Sequence, residues 1–282
     1  MAGDHRAALR TIEETFGQLE TAPRRDVGDT DLIDPTTWLT MMRGWVLFEM
    51  GRVAEGEALL DRAGVRAREL GQAEIAGWVA EFGIYRAELR GDVRAALDCA
   101  RRALEVADRL GSALSRCSAL LSLAEALILG REWTPAIATL EQALALVRER
   151  RTGLQWEALM LAKLAEAQLG AGDVASAGPA AEDAVRLAHA RGTRLTECHA
   201  QRALARVLRH RDGAGARNVI ADALARALAL VEETGARLYE PFIRVELAEL
   251  ARLTGDEPAR ARETTAVVRL FGEMGVPERA LA

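Results

Sequence analysis

The chain has 282 residues and a formal net charge of −5; half of its residues are hydrophobic, but only 4% are aromatic and about a fifth are alanine. A core built from so many small side chains suits close-packed helices rather than a β-sandwich, and no run of 18 apolar residues is present to cross a bilayer. The acidic balance also argues against a nucleic-acid partner, whose binding rests on phosphate neutralisation.

Residues 4–20 read as one amphipathic helix opening on Gly3-Asp4, and residues 21–34, rich in Pro, Arg, Gly and Asp, as the longest loop. The start, Met1 to His5, lacks the basic-then-apolar pattern of a secretory signal, so a cytoplasmic location is expected. From residue 35 to 276 the chain is periodic. Glycines recur at Gly71, Gly111, Gly153, Gly192, Gly235 and Gly275, and a second set at Gly51, Gly91, Gly130, Gly172, Gly213 and Gly255, each ladder with a spacing of about 40. Glycine ends a helix cheaply in the left-handed conformation, so two interleaved ladders predict six helical hairpins, with 277–282 as a tail.

Helical periodicity fills the intervals: Val93, Ala96, Leu97, Ala100, Leu104, Ala107 and Leu110 make one face, with Arg94, Asp98, Arg101, Arg102, Glu105 and Asp108 opposite. Asp34 before Pro35, Thr134 before Pro135, and Asp256 with Pro258 mark helix starts. Pro179 would fall beyond the first turn of a helix capped at Asp173, which predicts a late start or a kink near Gly178. The segment Arg211 to Arg217 reads as the second loop. The expected architecture is all-α, a single solenoid of antiparallel helical hairpins with about 13 helices, residues 1–34 supplying a half-repeat and loop.

Small residues at Ala96, Ala100 and Ala103, and again at Ala177, Ala181 and Ala184, resemble the second-helix signature of the tetratricopeptide repeat. The first helices carry its other motif at Gly44, Leu123-Ala124, Leu164-Ala165, Leu204-Ala205 and Leu247-Ala248. The period of about 40 exceeds the usual 34. Long repeats of this kind are similar to the C-terminal sensor regions of large bacterial regulators, maltose-activator-like transcription factors and class III adenylate cyclases with ATPase modules among them, and Leu238 to Gly275 looks most like the end of such proteins. The resemblance implies a right-handed superhelix whose first helices line a concave groove.

Catalytic motifs are missing. Lys163, the only lysine, lies in a helical stretch rather than after a phosphate-loop glycine. Gly170, Gly172 and Ala175 follow an amphipathic helix, not the strand a dinucleotide site needs. His199 and His210 lie three helical turns apart, too far for one metal, and Cys99, Cys117 and Cys198 lack metal or redox spacing. No enzyme activity, metal or cofactor is expected.

Stacking the first helices by the repeat period yields columns that the resemblance places in the groove: Trp45, Tyr85, Glu125, Glu166, Arg206, Glu249; Trp38, Trp78, Ser118, Leu159, His199, Phe242; Met41, Glu81, Leu121, Ala162, Arg202, Val245; and Phe48, Glu88, Ile128, Leu169, Arg209, Arg252. One end of the groove is then aromatic, through Trp38, Met41, Trp45, Phe48, Trp78 and Tyr85, and suits an apolar anchor. The bland alternative is that these rings fill the first two hairpins. Further along, His199, Arg202, Arg206 and Arg209 share a helix face and form a basic stripe that could clamp a carboxylate or phosphate; the alternative is a face neutralised by Glu166 and Glu249. The recurring Glu125, Glu166 and Glu249 read as packing rather than as a site.

The function expected is a non-enzymatic scaffold holding a protein or peptide in the groove, in bacterial signalling or transcriptional regulation. The alternatives are a small-molecule sensor domain detached from a larger regulator, taking a small-molecule effector, and a self-association platform that dimerises through a terminal repeat. An inner face closed or filled by the chain's own termini is incompatible with an open peptide groove.

Overall fold

The computed structural model describes residues 3–21 and 33–281, and among these it shows thirteen α-helices and no strand. A first helix, α1 (His5–Thr21), precedes six hairpins: α2 (Pro35–Glu49) with α3 (Val53–Glu69), α4 (Ala73–Arg90) with α5 (Val93–Leu110), and α6 (Ala113–Leu129) with α7 (Trp133–Arg150). Then follow α8 (Glu157–Gly170) with α9 (Val174–Arg191), α10 (Arg194–Asp212) with α11 (Arg217–Thr234), and α12 (Glu240–Thr254) with α13 (Glu257–Glu273). The loop expected between α1 and α2 lies, over 22–32, outside the described residues.

The glycine ladders end the helices as expected, with two exceptions: α7 ends on left-handed Arg151 (φ 50°), two residues before Gly153, and α6 departs at Gly130. Eleven of the twelve glycines have positive φ, whereas Gly130 is right-handed (φ −77°) and hands the left-handed position to Arg131 (φ 59°). Three local expectations are corrected. Helix α9 starts at Val174 under the Asp173 cap and continues through Pro179, so the late start does not occur. Helix α7 starts at Trp133, which places Thr134 inside it rather than at its cap. The second loop is a 3-10 turn, Gly213–Ala216. Asp34 and Asp256 do cap α2 and α13, accepting from the N–H of Thr37 and Ala259.

Small residues let paired helices approach closely. Ala96, Ala100, Ala103 and Ala107 of α5 are at most 2% exposed, and at the α2–α3 crossing a Cβ added to Gly56 would lie 2.7 Å from the Gly44 carbonyl oxygen and from the Phe48 nitrogen. Leucines such as Leu60, Leu140, Leu224 and Leu230 close each layer, and each contributes about 2 kcal/mol by leaving water.

The stack winds until its two ends meet. Phe48 and Val53 of the first hairpin and Leu89 of the second share an apolar cluster with Leu238, Val267, Phe271, Met274 and Val276 of the last. Helix α1 packs on α2 through Ala8, Ile12 and Val46 and reaches the end of α11, where Arg6 donates to the Glu232 carbonyl. The His5 ring completes the clasp: Nε2 lies 2.5 Å from the Glu49 carboxylate and Nδ1 3.2 Å from the Thr234 carbonyl, while the Tyr239 hydroxyl donates to Glu49 at 3.0 Å. The elongated, open groove expected from the repeats is thereby closed into a ring with a narrow bore, and the apolar face of α13 is spent inside the chain.

Candidate functional site

First helices line the bore. At one mouth it widens into a chamber of 280 Å³ whose wall includes Trp45, Glu49, Tyr85, Glu125, Trp156, Leu159, His199 and Tyr239, with Gly3, Gln155, Thr193 and Arg194 also bordering it. Trp45 and Tyr85 meet at 4.7 Å between ring centres, Trp45 stacks on Phe82 at 4.4 Å, Trp156 leans on Trp78 at 5.9 Å, and His199 meets the Tyr239 ring at 4.5 Å. Past Tyr85, Glu125, His199 and Tyr239 the bore narrows to a throat of 20 Å³, which adds Glu88, Lys163, Arg202 and Phe242.

The throat is charged and narrow. The Lys163 ammonium lies 3.3 Å from Glu125 and 3.7 Å from Glu88; burial opposes its charge, but those carboxylates with Glu166 raise its pKa above the usual value. Burial pushes the Glu125 carboxyl up, and Lys163 only partly offsets this. Glu166 behaves oppositely: burial would raise it, yet Arg206, Lys163 and Arg202 hold it down to about 2. Burial, reinforced by Lys163 and Arg202, keeps the His199 imidazole neutral. Glu81, behind the throat, accepts from Ser118 at 2.9 Å, and burial carries it up to about 8, so it is a neutral acid at pH 7.

These positions settle where each expected residue goes. Trp45, Tyr85 and His199 line the chamber, and Arg202 the throat. Met41 and Phe48 do not face the bore: they are 1% and 0% exposed and belong to the core between hairpins. Trp38 and Trp78 pack half-buried against that core, Trp78 also reaching Trp156. The basic stripe is largely neutralised, because Arg206 pairs with Glu166 and Glu246, and Arg209 with Glu246 and Glu249. Arg202 differs. Its guanidinium lies over the Phe242 ring at 5.7 Å, and among the described residues no carboxylate is within ion-pairing distance.

Sequence reasoning missed Lys163 and Glu49, and the two aromatics Trp156 and Tyr239; it set Glu125 and Glu88 in groove columns but read Glu125 as packing. The lysine had a signal, since its column reads Met42, Phe82, Ser122, Lys163, Ala203, Glu246, where a sole lysine is out of place. Trp156 and Tyr239 end the 3-10 turns before α8 and α12, outside the helical columns. Among the described residues no group of three or more His, Cys, Asp or Glu could hold a metal ion, and no helix is long and apolar enough to cross a membrane.

Neither a family model nor a curated protein matches the sequence. Solved structures do. A Rap protein complexed with competence and sporulation factor superposes with a TM-score of 0.62 at 15% identity, covering 95% of this chain and 76% of that one. The apo form of RapI gives 0.54 at 12% identity, covering 87% and 94%, and aspartyl phosphate phosphatase F from Bacillus subtilis gives 0.53 at 13%, covering 96% and 72%. The fold is a tetratricopeptide-like repeat array. In such an array each unit contacts mainly its neighbours, so bonds between residues 190 and 229 positions apart, Tyr239–Glu49 and His5–Thr234, mark an array closed upon itself.

Proposed function

We propose that this tetratricopeptide-like ring is a non-enzymatic binding scaffold that takes one anchoring residue or one end of a peptide or protein into its chamber, in the service of bacterial signalling or transcriptional regulation. The observation that carries this is the chamber itself: 280 Å³ of space walled by Trp45, Tyr85, Trp156 and Tyr239. Aromatic walls of this kind give anchoring side chains large contact area at little entropic cost. A likeness to a Rap protein solved with competence and sporulation factor supports a ligand held within such an array.

A second reading, a small-molecule effector, is favoured by size. Small-molecule pockets begin at roughly 300 Å³, and closure of the ring excludes a segment running extended across six repeats. Thermal unfolding of the full chain in the presence of short peptides or metabolites separates the two. A ligand at 100 times its dissociation constant adds about 2.7 kcal/mol; a peptide should raise the midpoint, and Trp156→Ala should abolish the rise. Stabilisation by metabolites alone would establish the second reading. A peptide whose effect survives Trp156→Ala and Trp45→Ala would place binding outside the chamber and refute both.

A further inference from the structure

We infer that the chamber selects an uncharged amide group, received at its floor by the Tyr85 hydroxyl and the His199 imidazole, in preference to the corresponding acid or amine. The inference rests on the chamber being the binding site, and it names the chemistry of the group that enters.

Four residues border both the chamber and the throat and so form the floor: Tyr85, Glu125, His199 and Tyr239. Two of them are spent. The Tyr239 hydroxyl donates to Glu49 at 3.0 Å, and Glu125 turns one oxygen to the Lys163 ammonium at 3.3 Å while its other oxygen is shut away from the space. Tyr85 and His199 are left. Both side chains are partly exposed, and among the described residues neither the Tyr85 hydroxyl nor either His199 nitrogen has a hydrogen-bond partner. Their polar atoms are not sealed off by packing. A ligand that fills the chamber must therefore offer a partner to each or leave it stranded.

The field across the floor opposes an ion of either sign. Burial pushes the Tyr85 phenol up, and the carboxyls of Glu125, Glu49 and Glu88 add to it, so an anion placed there meets like charge. Burial pushes the His199 imidazole down, and Lys163 and Arg202 add to it while Glu166 opposes, so a cation placed there meets like charge too. Tyr85 stays a protonated phenol and His199 a neutral imidazole, each able to donate and to accept. Neither ring nitrogen is tied down, so the tautomer is free to turn its N–H to the chamber. An amide matches this pair in sign. Its N–H donates to the Tyr85 oxygen on the acidic side, its carbonyl accepts from His199 on the basic side, and it brings no net charge to desolvate. At the mouth the Arg194 side chain is 43% exposed, with Glu233 at 3.9 Å, and water and salt screen its charge from the floor.

A side-chain amide and a main-chain peptide unit share this chemistry. The test titrates the full-length chain, by tryptophan fluorescence and calorimetry near neutral pH, with phenylacetamide, N-methyl-phenylacetamide, the anion phenylacetate, the cation phenethylamine, and methyl phenylacetate, an ester that keeps the carbonyl and lacks the N–H. At least one amide should bind about tenfold or more tightly than the anion, the cation and the ester. Preference for phenylacetamide assigns the group to a side chain, and preference for the N-methyl compound assigns it to the main chain. Tyr85→Phe, which removes only the hydroxyl, should bring the amide to within about twofold of the ester while leaving the ester unchanged. If that variant does not fold, His199→Leu tests the same floor by weakening the amide and the ester together and leaving the amine unchanged. Equal or tighter binding of the acid, the amine or the ester, abolished by Trp156→Ala, overturns the amide inference and keeps the chamber. Amide binding that survives both Tyr85→Phe and His199→Leu overturns it as well. No binding by any probe overturns the amide inference and the chamber together.

Discussion

One buried histidine ties α1 and α2 to the end of α11 where the ring closes, and its removal is a quantitative test. His5 is 6% exposed and bridges Glu49 at 2.5 Å and the Thr234 carbonyl at 3.2 Å. His5→Ala deletes one charge-assisted hydrogen bond and one neutral one. Glu49, its side chain 5% exposed, keeps the Tyr239 hydroxyl at 3.0 Å on its other oxygen but loses its counter-charge, so the expected loss is about 3–5 kcal/mol, the cost of breaking a buried pair from one side. The loss should be local to the clasp, so the assay is hydrogen exchange of the α1 amides, where about 3 kcal/mol is roughly a 150-fold fall in protection. Burial pushes the His5 imidazole down, but the hydrogen bond and charge of Glu49 more than offset this and leave its pKa above the unfolded value of 6.5. A group with a raised folded pKa stabilises fully below its unfolded pKa and loses that contribution as pH rises through the folded one. The wild-type advantage over His5→Ala should therefore be complete below pH 6.5 and shrink in alkaline solution. Protection within threefold of wild type, or a difference independent of pH, would refute the clasp.

Other changes probe the packing behind the bore. Lys163→Met leaves Glu88 and Glu125 facing each other without their shared cation; about 3–5 kcal/mol should be lost in urea unfolding, and adding Glu125→Gln should restore at least half. Gly56→Ala drives a methyl into the backbone of Gly44 and Phe48 at 2.7 Å and should cost about 1–3 kcal/mol or more by overpacking. Gly111→Ala has open space around it and should cost only the left-handed strain, about 1–2 kcal/mol; a larger loss there than at Gly56 would overturn this account of the crossing. Glu166, held down to about 2, contributes stability that is present above its ordinary 4.5 and is lost as pH falls to about 2. Arg206→Gln should therefore shift acid unfolding to higher pH.

What the sequence disclosed follows the range of the interaction that fixes each feature. Helix ends are decided within a few residues, and so the two glycine ladders locate nearly every one. Gly130 escapes because Arg131 takes the left-handed position instead, a choice made between adjacent residues that the spacing does not separate. Pro179 misleads for a different reason: propensity penalises it inside a helix, but α9 is held along its length by Ala177, Ala181, Ala184 and Ala188, all fully buried against neighbours, and tertiary packing overrides the local cost.

The candidate site is legible only in part because the columns assume that every repeat presents the same helix face to an open groove. That holds for Trp45, Tyr85, Glu125 and His199. It fails at Met41 and Phe48, which the meeting of first and last repeats and the tight first hairpin bury. Closure is the sum of small rotations over six units, and no local signal encodes a sum. His5, Glu49, Thr234 and Tyr239 are unremarkable in their own segments and become a clasp only after the superhelix has completed its circuit. The same circuit converts a row of ordinary heptad-like positions into a chamber, brings Lys163 to Glu88 two repeats away, and leaves one oxygen of Glu125 without a partner. Binding chemistry in this molecule is therefore a property of the ring, and a substitution that opens the clasp should weaken a chamber ligand even though His5 does not border the chamber.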